Sequence, residues 1–235
     1  MIISSVMIVY IGAAVVPAAA LMYYIYKKDT VEKEPGYLLR RLVIGGVLAA
    51  LAAMILEYVG ESVLSGFVDK GSPSYSIFLA FLVVAVAEEG MKLFFLYRRS
   101  WHDENFNYKF DGVVYAVFVS LGFAAFENIM YVFSYGLSVA PTRALLAIPA
   151  HMGFAVFMGT FYGRAKAAEA EGRYGGKTGN ILFGYFAAVF LHGFYDASAM
   201  LQTDEATVVF MLFVVVMYVI VFNLIRHDSR TDAPI

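Results

Sequence analysis

The sequence predicts an all-α polytopic membrane protein: a bundle of about seven transmembrane helices, with the N-terminus outside and the C-terminus in the cytoplasm. Three observations carry this. First, 61% of the 235 residues are hydrophobic and only 15% charged, where a soluble domain is nearer half apolar and a quarter charged; the mean hydropathy is +0.71. Second, the apolar residues fall in long blocks with no 3.6-residue period, and seven blocks approach the roughly 20 residues that cross a bilayer. They lie near 2–26, 42–59, 75–97, 110–133, 144–163, 180–200 and 207–225. Third, the positive charges are segregated between the two sides.

The first block contains Ala18-Ala19-Ala20, a run that resembles a signal-peptidase site. No basic stretch precedes it, and the block continues to Lys27-Lys28, so it reads as an uncleaved first helix. Lys27, Lys28, Lys33, Arg40 and Arg41 then separate blocks one and two, around a turn at Pro35-Gly36. Arg98, Arg99 and Lys109 separate blocks three and four; Arg164, Lys166, Arg173 and Lys177 separate five and six; Arg226 and Arg230 follow seven. These fourteen fall on one side, while Lys70 and Arg143 fall on the other. The positive-inside rule makes the basic side cytoplasmic. An error of one span would destroy the asymmetry, so the charges support the count of seven. Residues 1–235 therefore read as a single integral membrane domain, placed in the plasma membrane with the lipid bilayer as its surroundings.

Composition and motifs exclude several functions. The chain has no cysteine, so thiolate ligands and a cysteine nucleophile are ruled out. Gly176-Lys177-Thr178 suggests a phosphate-binding loop, but the first glycine falls at 172 where the spacing demands 171, and no buried strand precedes it. Neither a nucleotide nor a nucleic acid is an expected partner. Gly159 and Gly163 have the small-xxx-small spacing of closely packed membrane helices, read as packing within one subunit. Nothing in the sequence sets an oligomeric state. His-Glu-x-x-His, Gly-x-Gly-Asp and Gly-x-Ser-Gly are all absent. With loops no longer than about fifteen residues, too short to fold alone, function must lie within the helices or at their ends.

The informative residues are polar ones inside the apolar blocks: Glu88, Glu89, Lys92, Glu127, Asn128, His151, His192 and Asp196. Five are Asp, Glu or Lys, and at about 3 kcal/mol each their insertion penalty is roughly 15 kcal/mol. That matches or exceeds the net stability of a typical protein, so these groups must face one another or a water-filled cavity. At 100° per residue Lys92 lies between Glu88 and Glu89 on the helix surface and reaches both. His192 and Asp196 are one turn apart on one face. At about 1.5 Å per residue, His151 and Glu127 lie roughly 10 Å, and His192 about 12 Å, inside the outer ends of their spans. Pro149 removes a backbone hydrogen bond two residues before His151. Glu57 and Glu61, at the outer end of span two, read as solvated, as do His102 and His227; Asn128 reads as a helix–helix hydrogen bond and Asp111 as an N-cap or dipole partner.

Two imidazoles with one or two carboxylates suit zinc or another divalent metal with an open position for water, a further glutamate serving as general base. Without a metal, glutamate and histidine could still activate water. The same groups would also suit a proton- or cation-coupled transporter.

Five segments appear in order: Glu88-Glu89-Gly-Met-Lys92, Phe110-Asp111-Gly112-Val-Val-Tyr115, Gly122-Phe123-Ala-Ala-Phe-Glu127-Asn128, Pro149-Ala-His151 and His192-Gly-Phe-Tyr-Asp196. Together they resemble the PrsW-type intramembrane proteases, relatives of the CAAX-processing and bacteriocin-processing membrane proteases. The resemblance covers roughly residues 27–200. It implies a membrane-embedded endopeptidase that makes a first cut in a single-span membrane protein, such as an anti-sigma factor, near its extracytoplasmic side. It implies Glu88 and Glu89 as catalytic glutamates, with His151 and His192 as catalytic residues or metal ligands. Glu127 would complete the cluster and Asp196 would orient His192, both being further candidate ligands, with Lys92 and Asn128 in support. Related CAAX-type enzymes imply that glutamate-activated water without zinc is an alternative.

Overall fold

The computed structural model describes residues 5–235, so residues 2–4 of the first expected span lie outside it. Seven helical runs are present among the described residues. They are α1 (Ser5–Lys28), α2 (Gly36–Leu64), α3 (73–100), α4 (Asp111–Tyr135), α5 (Leu137–Ala170), α6 (Tyr174–Met200) and α7 (Asp204–Arg230). All except α3 are long and apolar enough to cross a membrane on length and composition alone. The third run, which carries Glu88, Glu89 and Lys92, joins Pro73–Phe78, Leu79–Val84 and Ala85–Ser100 without a break. At about 1.5 Å per residue it too is long enough to cross.

Every helix except α1, α3 and α4 extends well past its hydropathy block. The block near 42–59 becomes α2 from Gly36, after Pro35 in extended conformation, and the block near 207–225 becomes a helix from Asp204. Hydropathy marks the hydrocarbon slab, whereas a helix ends where its backbone is capped. Thr203 accepts from the Ala206 amide at 3.1 Å, and Ser72 accepts from that of Tyr75 at 3.1 Å, so α7 and α3 start at side-chain caps outside the apolar run.

Helix α4 is the inner helix: 72% of its membrane window is buried, against 11% for α1 and 22% for α7. It packs against α1, α2, α3 and α5. The contact with α5 is backbone on backbone. A Cβ on Gly159 would stand 2.6 Å from the Gly112 carbonyl oxygen and from the Val113 Cα, and Gly163 is equally crowded by the Lys109 carbonyl. The small-residue spacing at 159–163 is thus used inside the subunit, against Gly112.

The loops carrying the fourteen basic residues gather at one end of the bundle. Trp101, Phe106, Tyr115 and Tyr162 form a buried aromatic cluster there. Residues 231–235 lie against the 107–110 segment, with Ile235 N–H donating to the Asn107 carbonyl at 2.7 Å and Phe110 N–H to Asp232 Oδ1 at 2.9 Å. Asp111 does not cap its own helix; its Oδ2 accepts from the amides of Asn107 (3.0 Å) and Tyr108 (2.7 Å) and shapes the loop before it. Nearby Glu34 is buried and accepts from the Tyr115 hydroxyl at 2.7 Å. Burial first, then the adjacent Asp111 carboxylate, pushes the Glu34 carboxyl up to about 9.

Two predictions arise from this packing. Gly159→Val forces α4 and α5 apart and should cost about 3 kcal/mol, read as a lowered thermal midpoint in detergent. Glu34 holds a proton in the fold that the unfolded chain releases near pH 4.3. Its contribution is complete below that pH and is lost as pH climbs toward 9. Glu34→Gln should therefore flatten the fall in thermal midpoint between pH 5 and 9 relative to the wild type; equal slopes would contradict the assignment.

Candidate active site

The charged residues of α3 meet those of α4, α5 and α6 in one connected network. Glu88 and Glu89 follow the π-wound stretch Leu79–Val84, and His151 follows a second one, Arg143–Ala147. Such wide turns shift the register of what comes after them and recur at functional sites. Pro149 has no N–H to offer the Leu145 carbonyl four residues back. The Tyr218 hydroxyl of α7 lies 3.1 Å from that oxygen and 2.9 Å from that of Leu146, so the opened turn is satisfied from a neighbouring helix.

At the centre is Lys92, 2% exposed. Its Nζ lies 2.7 Å from Glu89 Oε1, 2.9 Å from Glu88 Oε2 and 3.1 Å from His151 Nδ1, over the Phe123 ring at 4.1 Å. An ammonium only donates, so His151 Nδ1 must accept. The imidazole hydrogen is then on Nε2, which donates to Glu127 Oε2 at 3.1 Å. The Ser120 hydroxyl anchors the backbone at this point by donating to the His151 carbonyl at 2.9 Å. Glu127 also receives Arg143 at 2.7 Å. Arg143 in turn donates to Asn128 Oδ1 at 2.8 Å, and the Asn128 amide donates to the Ala14 carbonyl of α1 at 2.9 Å.

On the other side of Lys92, His192 Nδ1 donates to Glu89 Oε1 at 2.8 Å, and its Nε2 faces Asp196 Oδ2 at 3.3 Å and Glu88 Oε2 at 3.9 Å. Phe154 stacks on the His192 ring at 4.9 Å, and the two histidine rings stand 5.4 Å apart. A cavity of about 440 Å³ opens beside this network. Glu88, Glu127, His151, His192 and Asp196 line it, whereas Glu89, 0% exposed, lies behind them. The eight polar residues singled out in the sequence are therefore brought together.

Two participants escaped the sequence reading. Arg143 counted there only as a loop cation on the outer side, although a lone basic residue one helix away from Glu127 was a signal. Glu57, read as solvated with Glu61, lines the cavity instead. Glu61 alone faces the outer loop, where it pairs with Lys70 at 2.9 Å.

The donors that converge as a metal site are Glu88, Glu89 and His151, with ligand atoms within 4.8 Å of one another. His192, Glu127 and Asp196, the other expected ligands, are outside that group. Glu89 Oε2 is buried without a hydrogen-bond partner, so one carboxylate oxygen in the group remains uncommitted. Two carboxylates and an imidazole suit a divalent cation in chemical type. The Lys92 ammonium touches the same three side chains and would have to yield its place to a metal.

Paired glutamates and histidines around a cavity within a helical membrane bundle suit either an intramembrane hydrolase or a proton- or cation-coupled transporter. Comparison with known proteins makes this specific. Residues 33–225 match the PrsW family of intramembrane metalloproteases, and the chain belongs to that family. It is similar to the Protease PrsW of Geobacillus kaustophilus, 38% identical over 79% of this chain and 77% of that protein. Its similarity to the Protease PrsW of Oceanobacillus iheyensis is 32% identity over 96% of this chain and 99% of the relative. For the Protease PrsW of Bacillus subtilis the figures are 33%, 81% and 82%. No solved structure matches. The chain is thus an intramembrane protease and a multi-pass integral membrane protein, and between the hydrolase and transporter readings the comparisons favour the hydrolase.

Removing the central cation tests the network. Lys92→Met strands two buried carboxylates and should destabilise the fold by about 3–5 kcal/mol. The double variant Glu89→Gln/Lys92→Met should recover part of that loss, measured by thermal unfolding in detergent.

Proposed function

We propose that this protein hydrolyses a peptide bond of a single-span membrane protein, such as an anti-sigma factor, near the extracytoplasmic side of the bilayer. The observation that carries the reading is the position of Glu88, a carboxylate lining the cavity with Lys92 and His192 beside it. The cavity is also lined by residues near the outer helix ends, Thr142, Met200 and Phe210 among them, while the fourteen basic residues mark the opposite end as cytoplasmic.

In this reading Glu88 takes a proton from a water in the cavity as the water oxygen attacks the substrate carbonyl carbon, and later returns it to the departing amine nitrogen. Glu89, behind it, is held by Lys92 and His192 and fixes both. His192, stacked on Phe154 and held at Nδ1 by Glu89, presents Nε2 between Asp196 and Glu88 at the cavity wall. Arg143 and Glu127 hold His151 in the tautomer whose Nδ1 lone pair faces the centre. Phe123, Phe154 and Tyr195 restrict water around the cluster, strengthening its electrostatics. Alternatively, with Glu88 as a ligand and no longer the base, Glu88, Glu89 and His151 would hold a divalent metal. Bound there, it would lower the pKa of water and polarise the scissile carbonyl.

Glu88→Gln and Glu89→Gln should each reduce cleavage of a single-span reporter at least about a hundredfold, with thermal unfolding showing an intact fold. Unchanged cleavage in both would sink the assignment. Mass spectrometry of purified protein should find a divalent metal that His151→Ala loses; an active, metal-free preparation would leave Glu88 with the histidines as the whole apparatus.

A further inference from the structure

We propose that Glu57 is a specificity-determining residue, the carboxylate that receives a basic side chain of the substrate close to the scissile bond. This rests on the protease reading above. Every other acidic group facing the cavity has a partner. Glu88 has Lys92 at 2.9 Å, Glu127 has Arg143 at 2.7 Å, and Asp196 has His192 at 3.3 Å. Among the described residues Glu57 has neither a hydrogen-bond nor an ion-pair partner, although it lines the same cavity.

Its surroundings leave no local cation free. Lys70, the basic residue of the adjoining outer loop, is engaged by Glu61 at 2.9 Å, and Glu61 also accepts from the Tyr75 hydroxyl at 3.2 Å. Glu57 is within electrostatic range of Glu127, Lys92, His192 and Asp196, so it looks across the cavity at the catalytic groups from α2. The backbone that carries it is closely packed: a Cβ on Gly60 would stand 2.7 Å from Val83 of α3. Seven residues before the end of α2 at Leu64, Glu57 lies about 10 Å inside the outer helix end.

A carboxylate at that depth is costly to insert, and the nearby Lys92 and His192 are already paired with Glu88, Glu89 and Asp196, so Glu57 has no contact counter-charge of its own. A peptide backbone entering the cavity brings only neutral N–H donors. A Lys or Arg side chain brings the missing charge, and its apolar stem can lie along the cavity wall near Leu146 and Ala147. The occupant that satisfies Glu57 is therefore a basic residue of a substrate segment on the extracytoplasmic side of the cut.

The test uses the full chain in detergent and single-span reporters carrying Lys, Ala or Glu at each position flanking the cut. At one position the wild type should cleave the Lys reporter roughly tenfold more efficiently than the Glu reporter, chiefly through KM. Glu57→Gln should bring that ratio close to one, and Glu57→Lys should invert it. If Glu57→Lys does not fold, the Glu57→Gln ratio decides. The same Lys preference in wild type and Glu57→Gln, or none in the wild type, would overturn the proposal while leaving the protease intact. Failure of the wild type to cut any reporter would overturn the single-span-substrate reading on which the proposal rests.

Discussion

One ammonium organises the functional half of this molecule. Lys92 contacts both glutamates of its own helix and the imidazole of His151 on α5, all within a bundle that offers little water. Take that cation away and two adjacent carboxylates face each other at membrane depth, where each charge costs several kcal/mol to hold. The consequences pass outward by donor and acceptor logic. Because Lys92 can only donate, His151 must present a lone pair; because His151 then carries its hydrogen on Nε2, Glu127 becomes its acceptor, and Arg143 balances Glu127.

The close approach of α4 and α5 lets these side chains meet. Glycines at 112, 159 and 163 put backbone against backbone, which in lipid substitutes for a hydrophobic driving force between helices. Two π-wound turns and Pro149 then place Glu88 and His151 at the cavity, and the loosened carbonyls of 145 and 146 are satisfied by Tyr218 from the outer helix α7. Helix α7 carries none of the five polar segments that line up along the chain, yet it completes the hydrogen bonding of the helix that bears His151. At the other end of the bundle, Glu34, Asp111 and Tyr115 tie the first loop to α4, and residues 231–235 close over the third.

Of the polar set, Glu127, His151, His192 and Asp196 lie in the helix halves away from the basic loops, and Glu88, Glu89 and Lys92 lie near the middle of α3. Within that set, depth separates two residues that a motif treats alike. Glu88 borders the cavity, whereas Glu89 is wholly enclosed between Lys92 and His192. The two adjacent glutamates therefore differ in access to water, the property that distinguishes a proton acceptor from its support.

Taken alone, the sequence determined the membrane environment, the number of helices, which end gathers the basic loops and the eight polar residues that had to find one another. These follow from one-dimensional rules: apolar length against bilayer thickness, charge asymmetry between loops, and the cost of charges in hydrocarbon. Helix ends were less legible, because capping by Ser72 or Thr203 acts outside the apolar run that hydropathy detects. Tertiary structure alone decided the partners. Whether Glu57 turned outward with Glu61 or inward to the cavity depended on the packing of α2 against α3 at Gly60. Arg143 joined Glu127 because the start of α5 packs beside α4, and the convergence of Glu88, Glu89 and His151 on one point required helices far apart in sequence to pack. Spacing along a chain fixes which residues share a helix face, but only packing fixes what that face meets.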